Sequence, residues 1–149
     1  MRIVIDTNIL ARGSRGGTGL AAEVMRHISV PPHVLIGSPF LLSELARVLR
    51  YPRMRKLHGL DDAEIDAYVH AVQSAALMVD LPPGIPAAVV PKDPDDDPII
   101  ATAVAGQAEI ICTRDRHFWH PDVQKYCTAH GIRIMTDVEL MQLLRAAGP

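Results

Sequence analysis

The chain opens on Arg2-Ile3-Val4-Ile5-Asp6-Thr7-Asn8, and this stretch constrains the fold most. Three β-branched residues in succession, Ile3 to Ile5, are apolar towards both faces of any strand they form. Such a strand needs cover on both sides, which points to a parallel sheet with helices on each face. Further short apolar runs follow at His33-Val34-Leu35-Ile36-Gly37, Glu109-Ile110-Ile111-Cys112-Thr113 and Ile132-Arg133-Ile134, with helical patterns between them. This alternation predicts an α/β fold, a three-layer α/β/α sandwich around a mainly parallel central sheet. The 149 residues suit one domain, 1–149. In such a sheet the carboxyl ends of the strands converge on one edge, where ligands bind.

The intervening segments carry their own start and stop signals. Ala11 to Gly19 is rich in Arg and Gly and reads as a loop bearing Arg12 and Arg15. Leu20, Val24 and Ile28 stack at four-residue spacing on a helix that Pro31-Pro32 ends. Ser38 and Pro39 open a helix to about Arg50, with Leu41, Leu45, Val48 and Leu49 as its apolar stripe. Arg47, Arg50, Arg53, Arg55 and Lys56 form a basic cluster on its end and on the turn after it. Asp61 and Glu64 have the spacing of a capping box before a helix through Ile65, Val69, Val72 and Ala76. Met78 to Leu81 reads as a short strand, and Pro82 to Pro91 as a loop. Asp122 to His130 reads as a helix closed by Gly131. Thr136 and Glu139 make a second capping box, for a last helix carrying Val138, Leu140, Met141, Leu143 and Leu144.

A formal net charge of −2 does not advertise a nucleic-acid binder, but the charge is uneven. The basic cluster at 47–56 is offset by Asp93, Asp95, Asp96 and Asp97. Cys112 and Cys127 lack metal-ligand spacing, so a reducing compartment is expected. No run is long enough to span a membrane and the amino end lacks a signal peptide's apolar segment, so a cytoplasmic location is expected.

Four acids stand out, each with a plain structural alternative. Asp6 ends a strand, or caps the next helix. Glu44 shares part of an apolar helix face, or pairs with Arg47 or Arg50 at helical spacing. Asp97 before Pro98 is a helix start in its own right, yet a cap needs one acid and four sit within five residues. Asp115 closes the 109–113 strand after Arg114, or is a turn aspartate. His117 and His120 are weak as a metal pair. An oxygen-only set of acids suits Mg²⁺ or Mn²⁺, and phosphodiester hydrolysis uses such ions.

Val4-Ile5-Asp6-Thr7-Asn8, Ser43-Glu44-Leu45, Asp97-Pro98-Ile99-Ile100-Ala101-Thr102-Ala103 and Cys112-Thr113-Arg114-Asp115 with Phe118 together resemble the PIN-domain ribonucleases. The likeness is to the kind found as toxins in VapBC-type toxin–antitoxin pairs. It implies a PIN-like fold and metal-dependent cleavage of single-stranded RNA. It implies that Asp6, Glu44, Asp97 and Asp115 hold one or two Mg²⁺ or Mn²⁺ ions, with Asn8 and Thr113 as supporting polar groups. Asp96 is the neighbour able to substitute for Asp97. Arg12, Arg15, Arg47, Arg50, Arg114 and Arg116 are candidates for contacts to the RNA backbone. A small antitoxin partner and a homodimer are implied too. The alternative is a degenerate PIN module that binds RNA or protein without cleaving. A haloacid-dehalogenase-like phosphatase wants Asp where Asn8 stands, and a glycine-rich dinucleotide fingerprint is missing after the first strand.

Overall fold

The computed structural model describes residues 1–14, 18–81 and 97–148, with Asp97 by its backbone alone. Five strands form one all-parallel sheet: β1 (Arg2–Ile5), β2 (Val34–Gly37), β3 (Ala76–Met78), β4 (Ile110–Cys112) and β5 (Arg133–Met135). Their order is β3-β2-β1-β4-β5. β1 is central, with Ile3 opposite Leu35 on one side and Ile110 on the other.

The helices are α1 (Thr7–Gly13), α2 (Leu20–Ile28), α3 (Pro39–Leu49), α4 (Pro52–His58), α5 (Asp62–Ala75), α6 (Asp97–Ala105), α7 (Pro121–Ala129) and α8 (Asp137–Ala146). A short 3-10 turn spans Arg116–Trp119. The period of two along β1 sorts the core. Ile3 and Ile5 pack with α1, α2, α3, α5 and α8, whereas Val4 packs with α6, α7 and Phe118. The strands between the two cores are closed to solvent: Ile3, Val4, Ile5, Ile110 and Ile111 are fully buried. The three-layer α/β/α sandwich expected from the strand pattern is therefore present.

Four local expectations are corrected. The stretch read as a loop from Ala11 begins inside α1, because Ile9, Leu10 and Ala11 give a buried face and Asp6 caps the start. The basic turn is a helix, α4, bracketed by Pro52 at its first turn and by Gly59 in the left-handed conformation at φ +67°. The strand placed at 78–81 lies at Ala76–Met78, since Ala76 is already extended where α5 ends. Val138, grouped with the apolar residues of the last helix, is 45% exposed, and Leu140, Met141 and Leu144 make its buried stripe.

The other helix signals hold. Ser38 caps α3 by accepting from the Leu41 amide, and both capping boxes, Asp61 with Glu64 and Thr136 with Glu139, are formed. Arg15, Asp93, Asp95, Asp96 and the proline-rich segment at 82–91 lie outside the described residues. No helix among the described residues is long and apolar enough to cross a membrane.

Candidate active site at the β1–β4 edge

The direction of chain winding reverses between β1 and β4: β2 and β3 lie on one side, β5 on the other. The loops leaving β1 and β4 therefore part, and a crevice opens at their carboxyl ends. Asp6 follows β1 directly, and its amide donates to the Cys112 carbonyl at the end of β4 (2.9 Å). That bond ties the two strand ends together where the acids begin.

Asp6 is 3% exposed. Its Oδ2 accepts from the Thr113 hydroxyl (2.6 Å); its Oδ1 accepts from the Thr7 hydroxyl and the Asn8 amide (both 3.3 Å). All three donors are neutral. Burial pushes the Asp6 carboxyl above the usual carboxylate range, the negative charge of Asp115 adds to the effect, and the three hydrogen bonds oppose it without prevailing. Asp6 does cap α1, as its plain alternative held. Capping alone does not account for its burial. Asp61 performs the same task for α5 while exposed to solvent.

Thr113 joins the second acid to the first. Its hydroxyl donates to Asp6 and accepts the Asp115 amide (3.0 Å). It is fully buried, so one small side chain ties the Asp6 carboxylate and the Asp115 backbone to the strand ends. Asp115 caps the 3-10 turn, its Oδ1 accepting from the His117 amide (3.0 Å) with His117 Nδ1 at 3.2 Å. His120 Nδ1 accepts the Asp122 amide (3.2 Å) and so caps α7. The two histidines thus serve different turns.

The remaining candidates separate. Glu44 is turned to Arg47, three residues on, in an ion pair. Asp97 begins α6, which packs on β1, β2 and β4. Among the described residues, no three His, Cys, Asp or Glu side chains form a metal-ligand group. Asp6 and Asp115 are the pair brought together. Their chemistry fits a hard divalent cation: two carboxylates near each other, one of them buried and served only by neutral donors.

The arginines also sort. Arg50 pairs with Asp66 (2.7 Å) and Asp62 (3.5 Å), and Arg47 lies over the Tyr51 ring (5.6 Å). Arg12 lines a cavity beside Asn8. Arg116 is exposed on the 3-10 turn. Arg114 is clamped by Asp137, Nε to Oδ1 at 2.6 Å and Nη2 to Oδ2 at 2.7 Å. Asp137 is 2% exposed and was not among the sequence candidates. The only sign of it was an extra acid beside Thr136, where the capping box was already complete. A second polar contact also escaped sequence reading: the buried Ser38 and Thr102 hydroxyls meet at 2.8 Å, joining the start of α3 to α6.

A sequence model of the PIN domain matches residues 2–117, from β1 through Asp115. No curated protein gives a significant match to the chain.

Proposed function

The chain belongs to the PIN-domain family, whose members are generally nucleases, and from that premise we propose that it is a divalent-metal-dependent endoribonuclease acting on single-stranded RNA. The observation that carries the reading is Asp6: a buried carboxylate at the β1–β4 edge, raised by burial and by Asp115, with neutral donors alone around it. An acid so placed is unfavourable for folding unless it serves a cation or a proton transfer.

In this reading Asp6 and Asp115 hold Mg²⁺ or Mn²⁺, and Asp97 and Glu44 complete the set by family likeness. The ion supplies Lewis-acid activation of water and neutralises charge on the scissile phosphate. Thr113 bonds the Asp6 carboxylate and the Asp115 backbone amide, and the Asn8 amide keeps Asp6 from turning away. Burial at this edge excludes bulk water from Asp6. Hydrolysis forms one new P–O bond from water and breaks one ester P–O bond, the departing ribose oxygen taking a proton. No enzyme-linked intermediate is required.

By the same likeness the chain is the toxin of a toxin–antitoxin pair, with a small antitoxin as partner, and a homodimer of single-domain chains. Asp6→Asn is expected to abolish RNA cleavage; expression of the wild-type chain is expected to arrest growth of a bacterial host, and that of Asp6→Asn to leave it unaffected. Normal cleavage by that variant would sink the assignment. The Glu44–Arg47 pair favours a second reading, a module that binds RNA with an incomplete acid set. That reading requires RNA binding by the wild type without Mn²⁺-dependent cleavage.

A further inference from the structure

The basic cluster of residues 47–56 is one feature in the sequence, but the structure splits it. Arg47, Arg50 and Arg55 each spend their charge on an acid: Glu44, Asp66 and Asp62. Arg53 has no acid partner among the described residues and lines a half-open cavity of about 690 Å³ between α1, the start of α2 and α4. Arg12 lines the same cavity, also without an acid partner among the described residues. Arg114 lines it too, and its bond to the buried Asp137 fixes the guanidinium there while consuming that acid's charge. Three guanidinium groups therefore face one space whose only acid among the described residues is already paired.

The rest of the lining is of another kind. Tyr51 is 41% exposed and stands in the wall, steadied by Arg47, whose Nη1 donates to the phenol oxygen (2.5 Å). Leu57, 38% exposed, adds apolar surface beside it. The cavity reaches the acids at two points. Asn8 lines it while its amide holds Asp6, and Arg114 lies between Thr113 and Asp115.

An anionic group and a planar apolar one, on one ligand, match these walls. Single-stranded nucleic acids are held by this combination of cations along the backbone and aromatic rings under the bases. The volume falls within the roughly 300–1,000 Å³ of small-molecule sites, enough for a nucleotide. We infer that this cavity is a nucleotide subsite for the RNA strand next to the scissile phosphate, Arg12 and Arg53 taking a backbone phosphate and Tyr51 stacking on a base. The inference rests on the ribonuclease reading above and adds to it the residues that grip the strand outside the acids.

The test is binding of a fluorescein-labelled, mixed-sequence RNA 12-mer at several salt concentrations, with Ca²⁺ in place of Mn²⁺ and with polyglutamate as competitor. Arg53→Ala and Tyr51→Ala are each expected to weaken binding about tenfold, Tyr51→Phe to keep it. Arg53→Ala should also lower the slope of log affinity against log salt by about 0.7, one phosphate contact on a single strand. Arg55→Ala removes the same charge from the same helix outside the cavity, and is expected to stay within about twofold of wild type by the small effect of paired surface charges. Circular dichroism checks that each variant is folded. Equal loss in Arg55→Ala and Arg53→Ala overturns the subsite in favour of diffuse charge. Displacement of RNA by polyglutamate at equal concentration overturns it in favour of an acidic-peptide surface. Wild-type affinity in Arg53→Ala and Tyr51→Ala, with cleavage still lost in Asp6→Asn, overturns the subsite and leaves the ribonuclease reading standing. No RNA binding or cleavage by the wild type removes both.

Discussion

At the scale of single residues, Asp6 shows how a cap differs from a site. Its side chain accepts three hydrogen bonds, enough to hold an exposed carboxylate low, yet burial outweighs them. A carboxyl raised in the folded state favours folding while protonated. That contribution is present below the ordinary carboxylate pKa and is lost as pH rises through the raised one. At neutral pH and without divalent ions, ionised Asp6 therefore works against the fold. Asp6→Asn is expected to raise the metal-free Tm at pH 7, and the gap should close on acidification. A lower Tm for the variant at pH 7 would mean that its hydrogen bonds outweigh its burial. Thr113→Val tests the bridge between the two acids. It leaves Asp6 and the Asp115 amide each short of a partner, at a cost of about 1–3 kcal/mol. Cleavage should fall by about 10- to 100-fold, as for other groups that orient metal ligands. Urea melts and RNA turnover measure the two effects, and wild-type cleavage in Thr113→Val would remove the bridge from the account. Sequence reading singled out Asp6 and Asp115 because strand ends and turn residues are local features, and Thr113 came only with the family likeness. It missed Asp137 because that acid acts through Arg114, 23 residues away, and such pairing leaves no local mark.

At the scale of elements, legibility followed the strength of local chemistry. Capping boxes and Ser-Pro starts were read correctly since cap and partner lie within four residues. α4 was hidden because it buries no residue completely, so no apolar stripe announces it, although Pro52 and Gly59 bracket it. α1 was hidden by the arginines and glycines that follow its buried Ile9-Leu10-Ala11 face. The small apolar character of α6 has a packing reason. A Cβ on Gly106, just past its end, would stand 2.3 Å from Ile36 Cγ2 and 3.1 Å from the Thr102 carbonyl. Ile36 is 1% exposed in β2 and its branched methyl has little room to yield. Gly106→Ala is expected to destabilise the chain by about 1–3 kcal/mol. An unchanged urea midpoint would show that α6 can lift from the sheet without cost.

At the scale of the whole molecule, strand order does what no single motif can. The order β3-β2-β1-β4-β5 puts the reversal between the two strands that end in acids, 107 residues apart for Thr113 and Asp6. The sequence pattern implied a parallel sheet and converging strand ends, but not which ends are neighbours; that follows from how the helices divide between the faces. Glu44 marks the limit. Its helix packs against α1 near the site, but its side chain is engaged with Arg47. The central claim is that Asp6 and Asp115, joined through Thr113, form a divalent-cation site that hydrolyses RNA. Calorimetric titration of Mn²⁺ into wild type and Asp6→Asn, followed by single-stranded RNA cleavage in the same samples, tests it most directly. Wild type is expected to bind Mn²⁺ and cleave, and the variant to do neither. Mn²⁺ binding of equal strength in the two proteins, or none in the wild type, would contradict it and return these acids to the role of helix and turn caps.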